Sequence, residues 1–217
     1  MHLVLFDMDH TLVPNDTGYL WAQFLQEKGL LSDKQVAQRK KILEDYFAGT
    51  LDFSVAYGFE IDILNGLGER TDGLLQEFVQ TKVISLITDK AITQVQQHKS
   101  NGDYLVMITA TLSNLAKYIS EFFGMDALIA SRAELNDDGS LSYELINDAC
   151  MGRGKLVHLE HWLTENEFNP TEYTFYSDSH NDIPLLEQVD NPIAVDPDDK
   201  LRKIAEDNSW KIISLIN

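Results

Sequence analysis

Two pairs of carboxylates, each following a short apolar run, are the strongest candidates for chemistry in this sequence. Asp7 and Asp9 follow the first run, and Asp178 and Asp182 follow a later one. Short apolar runs that end in polar residues are typical of buried strands in a parallel sheet, and ligands bind at the carboxyl ends of such strands. Four converging carboxylates repel one another, so the pattern predicts a bound cation. Hard oxygen ligands without Cys or paired His favour Mg²⁺ over zinc.

A hydroxyl and an ammonium group complete a set that suits phosphoryl transfer. Thr109 ends another apolar run, and Lys155 begins a helical pattern after two closely spaced glycines. A metal and a lysine can offset the charge of a phosphate group while a hydroxyl donates a hydrogen bond to it. Simpler roles stay open: carboxylates also cap helices and form turns, and Lys155 could be a surface residue. Thr111 is expected to be the N-cap of a helix.

The composition excludes several other classes of function. Of the 217 residues, 35 are acidic and 17 are basic, which gives a formal charge of −18. Such a surface repels nucleic acids and anionic membranes. The single cysteine, Cys150, excludes an internal disulfide and a multi-cysteine zinc site. We expect a cytoplasmic protein, since neither a signal peptide nor an apolar run of membrane-spanning length is evident.

Predicted strands and helices alternate along most of the chain, which favours an α/β fold with a mostly parallel sheet. The strand candidates are Leu3–Phe6, Tyr104–Ile108, Leu128–Ala130, Tyr173–Tyr176, Ile193–Val195 and Ile212–Leu215. The helix candidates outside residues 17–85 are Asp89–Ser100, Ser113–Phe123, Lys155–Glu165 and Ile183–Val189. Residues 17–85 contain helical patterns instead, so we expect residues 1–16 and 86–217 to form a catalytic core and residues 17–85 to form an inserted helical cap. Asn136–Gly139 is a candidate hairpin turn.

Four motifs in this order resemble the haloacid dehalogenase-like (HAD) superfamily, in its phosphoserine phosphatase-like branch (subfamily IB). They are FDMDHTL at Phe6–Leu12, ITAT at Ile108–Thr111, GRGK at Gly152–Lys155 and SDSHNDIPLL at Ser177–Leu186. One such motif is weak evidence, whereas four in order at predicted element ends are specific. The resemblance covers essentially the whole chain and implies a Rossmann-like core with a C1-type helical cap.

The resemblance also implies a role for each motif residue. Asp7 would be the nucleophile that forms an aspartyl-phosphate, and Asp9 would be the general acid and base. Mg²⁺ would be held by the Asp7 carboxylate, the Asp9 backbone carbonyl and Asp178, with Asp182 orienting its water. The residues implied to hold the phosphate are Thr109, Lys155 and Asn181. An acid at position 9 favours phosphate esters over the halogenated substrates of other superfamily members.

Two further positions bear on the substrate. In phosphoserine phosphatases an acidic residue nine positions after the nucleophile binds the substrate amine, and that position here is Asp16. Those enzymes hold the substrate carboxylate with a cap arginine shortly after a G-x-L-x-F pattern. Here the pattern occurs at Gly49–Phe53, but Glu60 stands about where the arginine would be. We therefore predict a small phosphorylated metabolite with an amine and no carboxylate, such as histidinol phosphate, with phosphoserine as the alternative.

Other classes of function use the same fold. A phosphotransferase or phosphomutase would pass the phosphoryl group to an alcohol instead of water, and a non-catalytic binding module would retain only the fold. The intact Asp7, Asp9, Lys155 and Asp178 argue against the binding module. The sequence specifies neither an oligomeric state nor a protein partner.

Overall fold

The computed structural model describes residues 1–216, with every side chain among them except that of Phe47, and its centre is a six-stranded parallel sheet. The strand order is β3-β2-β1-β6-β7-β8, and β4 and β5 form a separate antiparallel hairpin. The strands are β1 (His2–Phe6), β2 (Tyr104–Leu112), β3 (Ala127–Ser131), β4 (Ala133–Leu135), β5 (Leu141–Leu145), β6 (Glu172–Ser177), β7 (Asn191–Val195) and β8 (Lys211–Ile213). The predicted α/β class is confirmed, as is the predicted hairpin.

Strand β1 lies at the centre of this sheet and is buried on both faces. Val4 and Phe6 pack into one hydrophobic cluster, and Leu3 and Leu5 pack into the other. This division follows from the alternation of side chains along a strand. Parallel pairing with β2 on one side and β6 on the other brings the carboxyl ends of three strands together.

Nine α-helices are present in the described chain, and several of them begin at a side-chain cap or end at a glycine. They are α1 (Thr17–Glu27), α2 (Asp33–Ala48), α3 (Phe53–Leu67), α4 (Thr71–Phe78), α5 (Asp89–Asn101), α6 (Ser113–Phe123), α7 (Arg153–Glu165), α8 (Ile183–Leu186) and α9 (Asp199–Asp207). Helix α2, for example, starts with a capping box between Ser32 and Gln35 and ends at Gly49 with φ 70°. None of the helices in the described part is long and apolar enough to cross a membrane.

Helices α1 to α4 occupy the segment between β1 and α5 that the sequence predicts to be a cap. Trp21 of α1 packs against Phe78 of α4 with ring centroids 5.3 Å apart. Asn65 of α3 exchanges two hydrogen bonds of 2.8 Å with the backbone of Leu141, at the start of β5. The hairpin therefore contacts the helical segment. The domain boundaries at residues 16 and 85 stay a prediction.

Strand β2 is longer than the sequence predicts. The apolar run ends at Ile108, but pairing with β3 continues to Leu112 after a register shift beyond Thr109. Thr109 and Thr111 therefore remain in extended conformation because β3 continues alongside them. This extension carries Thr109 and Thr111 to the carboxyl edge of the sheet.

Candidate active site

A buried lysine lies between two of the predicted carboxylates. Lys155 Nζ is 2.6 Å from Asp7 Oδ1 and 2.6 Å from Asp182 Oδ2, and the Ser177 hydroxyl also donates to Asp182 at 2.7 Å. Only 2% of Lys155 is exposed, so it is not a surface lysine. Asp7 follows β1, Lys155 lies in the first turn of α7, and Asp182 precedes α8. Three elements far apart in sequence thus meet at one ion cluster.

The pKa values of Asp7 and Lys155 in this cluster differ strongly from their ordinary values. Burial raises the pKa of Asp7 to about 7, although the Lys155 ammonium opposes this shift. Burial would lower the pKa of Lys155, but Asp182 and Asp7 outweigh it and raise that pKa. Lys155 is therefore a cation throughout the physiological pH range. A buried carboxylate in contact with a permanent cation is a suitable nucleophile.

The glycine before Lys155 is required by a close backbone contact. A Cβ atom on Gly154 would lie 2.0 Å from the carbonyl oxygen of Ala149, far inside van der Waals contact. The Gly154 N–H also donates to Met151 O at 2.8 Å, which tightens the turn before the helix. The GRGK spacing thus permits α7 to begin close enough for Lys155 to enter the site.

Thr11 joins the carboxyl ends of β1 and β6. Its hydroxyl donates to Asp178 Oδ1 at 3.0 Å and lies 3.4 Å from Asp7 Oδ2, and it accepts from the Asp178 N–H at 3.1 Å. Burial raises the pKa of Asp178 well above its ordinary value, and the charge of Asp7 raises it further. Two buried carboxylates that share one hydroxyl repel each other when both are ionised, so a nearby cation would favour their ionised forms.

Asp9 is fixed by two hydrogen bonds from different parts of the chain. The Thr17 N–H donates to its Oδ1 at 2.8 Å, and the Thr111 hydroxyl donates to its Oδ2 at 2.7 Å. Burial raises the pKa of Asp9 and the nearby Asp16 adds to this, whereas the two donors lower it. The prediction that Thr111 caps a helix is wrong, because β2 continues past it and Leu112 precedes α6 without a side-chain cap.

The two remaining phosphate-binding candidates line the same cavity as Asp7 and Lys155. Thr109 is buried, and its hydroxyl oxygen accepts from the Thr111 N–H at 3.2 Å. Asn181 donates to the Ser179 hydroxyl oxygen at 3.2 Å. Both side chains therefore line the cavity that also contains Asp7.

Asp16 and Glu60 also line this cavity, and a third residue that sequence reasoning missed lies between them. Arg39 Nη2 is 2.6 Å from Asp16 Oδ1, and Arg39 Nε is 2.9 Å from Glu60 Oε1. The segment after Gly49–Phe53 contains no arginine, but another helix supplies one to the same cavity. The arginine comes from α2 rather than from the segment after Gly49–Phe53, and it neutralises part of the acidic charge.

A periodic signal in the sequence could have identified Arg39. It lies three residues after Val36 and three before Ile42, and both of these are buried. An arginine at helical spacing between apolar residues lies on the packed face of its helix. The signal is weak in the sequence because Arg39 is followed by Lys40 and Lys41. These two lysines are exposed, so the basic run as a whole resembles the solvent-facing side of a helix.

Gly18 provides the space for this charge cluster. A Cβ atom at Gly18 would lie 2.3 Å from Arg39 Nη2 and 2.9 Å from Glu60 Oε1. Because both atoms are held in ion pairs, neither can move without breaking a contact. Asp16 caps α1 by accepting from the Tyr19 N–H at 2.6 Å, so it too is fixed in position.

Much of the remaining cavity wall is apolar or aromatic. Trp21, Phe53 and Tyr57 contribute rings from α1 and α3. The Tyr57 hydroxyl donates to the carbonyl of Ala110 at 2.8 Å, which links α3 to β2. The cavity thus combines an ionic floor at the sheet edge, an outer charge cluster and apolar walls, an arrangement that suits a small phosphorylated organic molecule.

Comparisons with known proteins agree with this geometry. The model of the HAD family, described as haloacid dehalogenase-like hydrolase, matches residues 4–187. A crystal structure of a protein of unknown function from Bordetella pertussis Tohama I aligns with a TM-score of 0.91 and 34% identity, covering 99% of this chain and 98% of that one.

Several curated relatives carry the names of phosphatases, including the following two. A protein of Neisseria meningitidis serogroup C named histidinol-phosphatase is 32% identical, with 98% of each chain covered. Phosphoserine phosphatase SerB1 of Mycobacterium tuberculosis is 28% identical, with 95% of this chain and 68% of that protein covered. With the family match spanning most of the chain, these similarities establish that this protein belongs to the haloacid dehalogenase-like hydrolases.

Proposed function

We propose that this phosphatase hydrolyses a small phosphomonoester that carries a cationic nitrogen group, with histidinol phosphate as the leading candidate. The observation that carries the proposal is the position of the Asp16–Arg39–Glu60 cluster, which lines the same cavity as Asp7 and Lys155. Asp7 would bind the phosphoryl end of the substrate and the cluster would bind the nitrogen end.

The proposed reaction has two displacements on phosphorus. An Asp7 carboxylate oxygen attacks the phosphorus atom, the bond to the ester oxygen breaks, and Asp9 gives its proton to the leaving alcohol. A water molecule then gives a proton to Asp9 and attacks phosphorus, which releases inorganic phosphate and regenerates Asp7. The raised pKa of Asp9 suits a group that must hold a proton in one step and accept one in the next.

The residues at the sheet edge fit a divalent cation. Lys155 contacts Asp7 and Asp182, and Asp178 shares the Thr11 hydroxyl with Asp7, so three carboxyl groups that are negative when ionised lie near one ammonium. We infer that the Asp7 and Asp178 carboxylates and the Asp9 carbonyl hold Mg²⁺, which phosphatases of this family generally use. The ion would polarise the phosphoryl oxygens and offset the charge of the nucleophile.

Lys155, Thr109 and Asn181 would hold the phosphate. Lys155 is a permanent cation in contact with Asp7, so it can stabilise charge on the phosphoryl oxygens during attack. Its ion pair with Asp182 restrains the ammonium while substrate enters. Thr109 and Asn181 line the cavity beside Asp7 and can donate hydrogen bonds to the remaining oxygens.

The charge of the outer cluster supports a cationic substrate group. Asp16 and Glu60 carry two negative charges and Arg39 carries one positive charge, which leaves a net charge of about −1 when all three are ionised. A monocation such as a protonated amine or an imidazolium compensates this charge. The similarity to a relative named histidinol-phosphatase supports the same substrate.

Phosphoserine is the second candidate, and the specific observation in its favour is Arg39. A guanidinium has five N–H donors, and two of them account for the contacts to Asp16 and Glu60. The remaining donors could bind a substrate carboxylate. The relative named phosphoserine phosphatase agrees with this alternative.

Steady-state kinetics with three substrates distinguish these candidates. We expect kcat/KM for histidinol phosphate to exceed that for phosphoserine, and Glu60→Gln to lower it about tenfold or more. The uncharged leaving group of p-nitrophenyl phosphate should make its hydrolysis insensitive to this change. Glu44→Gln, an exposed position on α2, is the matched control. Glu60→Arg is a poorer test, because the new guanidinium would face Arg39.

Each outcome has a definite meaning. Preference for phosphoserine in the parent enzyme replaces the leading substrate with the alternative. If Glu60→Gln lowers kcat/KM equally for all three substrates, Glu60 maintains the shape of the cavity and does not recognise the substrate. Formation of glycerol phosphate in place of inorganic phosphate when glycerol is added would identify a phosphotransferase instead.

A further inference from the structure

Two histidines and an aspartate meet at the amino-terminal ends of the strands, opposite to the end where Asp7 lies. This histidine–aspartate cluster consists of His2 at the start of β1, His98 in the last turn of α5 and Asp103 just before β2. All three side chains are largely buried, with 11% to 21% of each exposed. His2 begins β1 and Asp7 directly follows the end of the same five-residue strand, so the cluster is remote from the candidate active site.

The local fold presets the distance between His98 and Asp103. Helix α5 ends at Gly102 in the left-handed conformation, and the Asp103 N–H donates to the His98 carbonyl at 3.1 Å. This pairing is the Schellman arrangement, which turns the chain back over the last helical turn. It brings the Asp103 carboxylate to His98 Nδ1 at 2.7 Å, while the other carboxylate oxygen lies 3.2 Å from His2 Nδ1.

These distances are close to those of a tetrahedral metal site. One ligand atom from each residue lies within 4.8 Å of the other two. With metal–nitrogen bonds of about 2.0 to 2.1 Å, ligand atoms in a tetrahedral site are separated by about 3.3 Å. Small side-chain rotations are therefore enough to place an ion between the two Nδ1 atoms and the carboxylate.

The second nitrogen of each imidazole already has a hydroxyl partner. His2 Nε2 lies 2.8 Å from Thr174 Oγ1, and His98 Nε2 lies 2.7 Å from Tyr176 Oη. Thr174 and Tyr176 are two residues apart on β6, so they present their hydroxyls on one face of the sheet. A metal-bound histidine donates its free ring N–H to such a partner, which fixes the ring and its tautomer. Both rings can be held with Nδ1 facing the cluster.

We propose that the histidine–aspartate cluster is a second metal site, selective for a borderline divalent ion such as Zn²⁺. Two imidazole nitrogens and one carboxylate match the preferences of Zn²⁺ and do not match those of Mg²⁺. Three protein ligands leave the fourth position to water, and His2 and His98 line a surface groove through which an ion can enter. The ion would join β1 to the α5–β2 connection and stabilise the fold without taking part in phosphate hydrolysis.

Zinc binding is measured by calorimetric titration of chelator-treated protein in saturating Mg²⁺, which occupies the carboxylate site. We expect one equivalent of Zn²⁺ to bind the parent protein and raise its Tm. His2→Gln and His98→Gln should each abolish this binding. Tyr176→Phe should weaken it by about tenfold or more, because only the partner of a ligand is lost. His161→Gln, an exposed histidine on α7, should change nothing.

Co²⁺ provides a spectroscopic readout that is independent of stability. Tetrahedral Co²⁺ with imidazole ligands absorbs strongly in the visible range, whereas Co²⁺ bound only to carboxylates and water does so weakly. The parent protein should show the strong band and both histidine variants should lack it, while phosphate release with Mg²⁺ stays at the parent level. The proposal would be overturned if the parent protein showed no strong Co²⁺ band and bound no Zn²⁺ in saturating Mg²⁺. The cluster would then be held by hydrogen bonds alone. Unchanged Zn²⁺ binding in either variant would overturn the proposal as well.

Discussion

Replacing Arg39 by Met tests whether the wall of the active-site cavity depends on a buried charge cluster. The guanidinium contacts Asp16 at 2.6 Å and Glu60 at 2.9 Å, and the three side chains are 10%, 19% and 19% exposed in the order Arg39, Asp16, Glu60. Methionine keeps much of the apolar stem of arginine and removes the charge. Two carboxylates then face each other with no cation between them.

The expected effect on stability is large. Opposite charges about 4 Å apart attract by about 4 kcal/mol in a medium with an effective dielectric constant near 20, before desolvation is subtracted. Removal of one partner from a buried ion pair typically costs about 3 to 5 kcal/mol, because the other partner is left buried and uncompensated. We therefore expect Arg39→Met to lower the free energy of unfolding by about 4 kcal/mol. Glu60→Gln in the Arg39→Met background should recover part of this loss.

The assay is urea denaturation of the parent protein, both single variants and the double variant, analysed as a double-mutant cycle. Lys40→Met, a neighbouring exposed position on the same helix, is the control and should stay within about 0.5 kcal/mol of the parent. A loss below about 1 kcal/mol in Arg39→Met, or losses that add within about 0.5 kcal/mol in the cycle, would refute the reasoning. In either case the three residues would not act as one buried cluster.

Four further predictions concern the chemistry. Asp7→Asn should abolish phosphate release while the fold persists by circular dichroism, because an amide cannot act as the nucleophile; near-parent turnover contradicts the covalent route. Chelation with EDTA should abolish activity, with recovery by Mg²⁺ and poor recovery by Ca²⁺, whose longer bonds and higher coordination number disturb the geometry; full activity after chelation sinks this expectation. Thr111→Val removes a hydrogen bond that lowers the pKa of Asp9, so this pKa should rise. Because the proposed acid must be protonated to act, the alkaline limb of the kcat/KM profile should move to higher pH. A shift of this limb to lower pH contradicts the role. Gly154→Ala should reduce kcat/KM strongly because its Cβ would lie 2.0 Å from Ala149 O and displace the helix that carries Lys155; parent kinetics would show that the backbone adjusts freely.

The fold and the ionic floor of the site were accessible from sequence because short-range patterns determine both. An apolar run bounded by carboxylates predicts a buried strand, and parallel strands bring their carboxyl ends to one edge. Asp7, Lys155 and Asp182 meet there within 2.6 Å contacts. The same reasoning placed Asp178 near Asp7, and Thr11 joins the two.

The outer wall of the cavity was less accessible because it depends on how helices pack against each other. Glu60 and Asp16 are predicted as isolated acidic positions, whereas α2 places Arg39 between them. No local pattern specifies which residue of one helix faces a residue of another. Thr111 shows the same limit: its role depends on how far β2 pairs with β3, and that pairing takes it to Asp9 instead of to a helix end.

Asp9 connects the helical segment to the proposed chemistry. Its Oδ1 accepts from the Thr17 N–H at the first residue of α1, and its Oδ2 accepts from Thr111 on β2. Both donors favour the ionised carboxylate, while burial favours the protonated form. A displacement of α1 that breaks the Thr17 contact removes one of the two opposing donors and raises the pKa of Asp9. The position of α1 and the protonation of Asp9, the general acid proposed above, are therefore linked through one hydrogen bond.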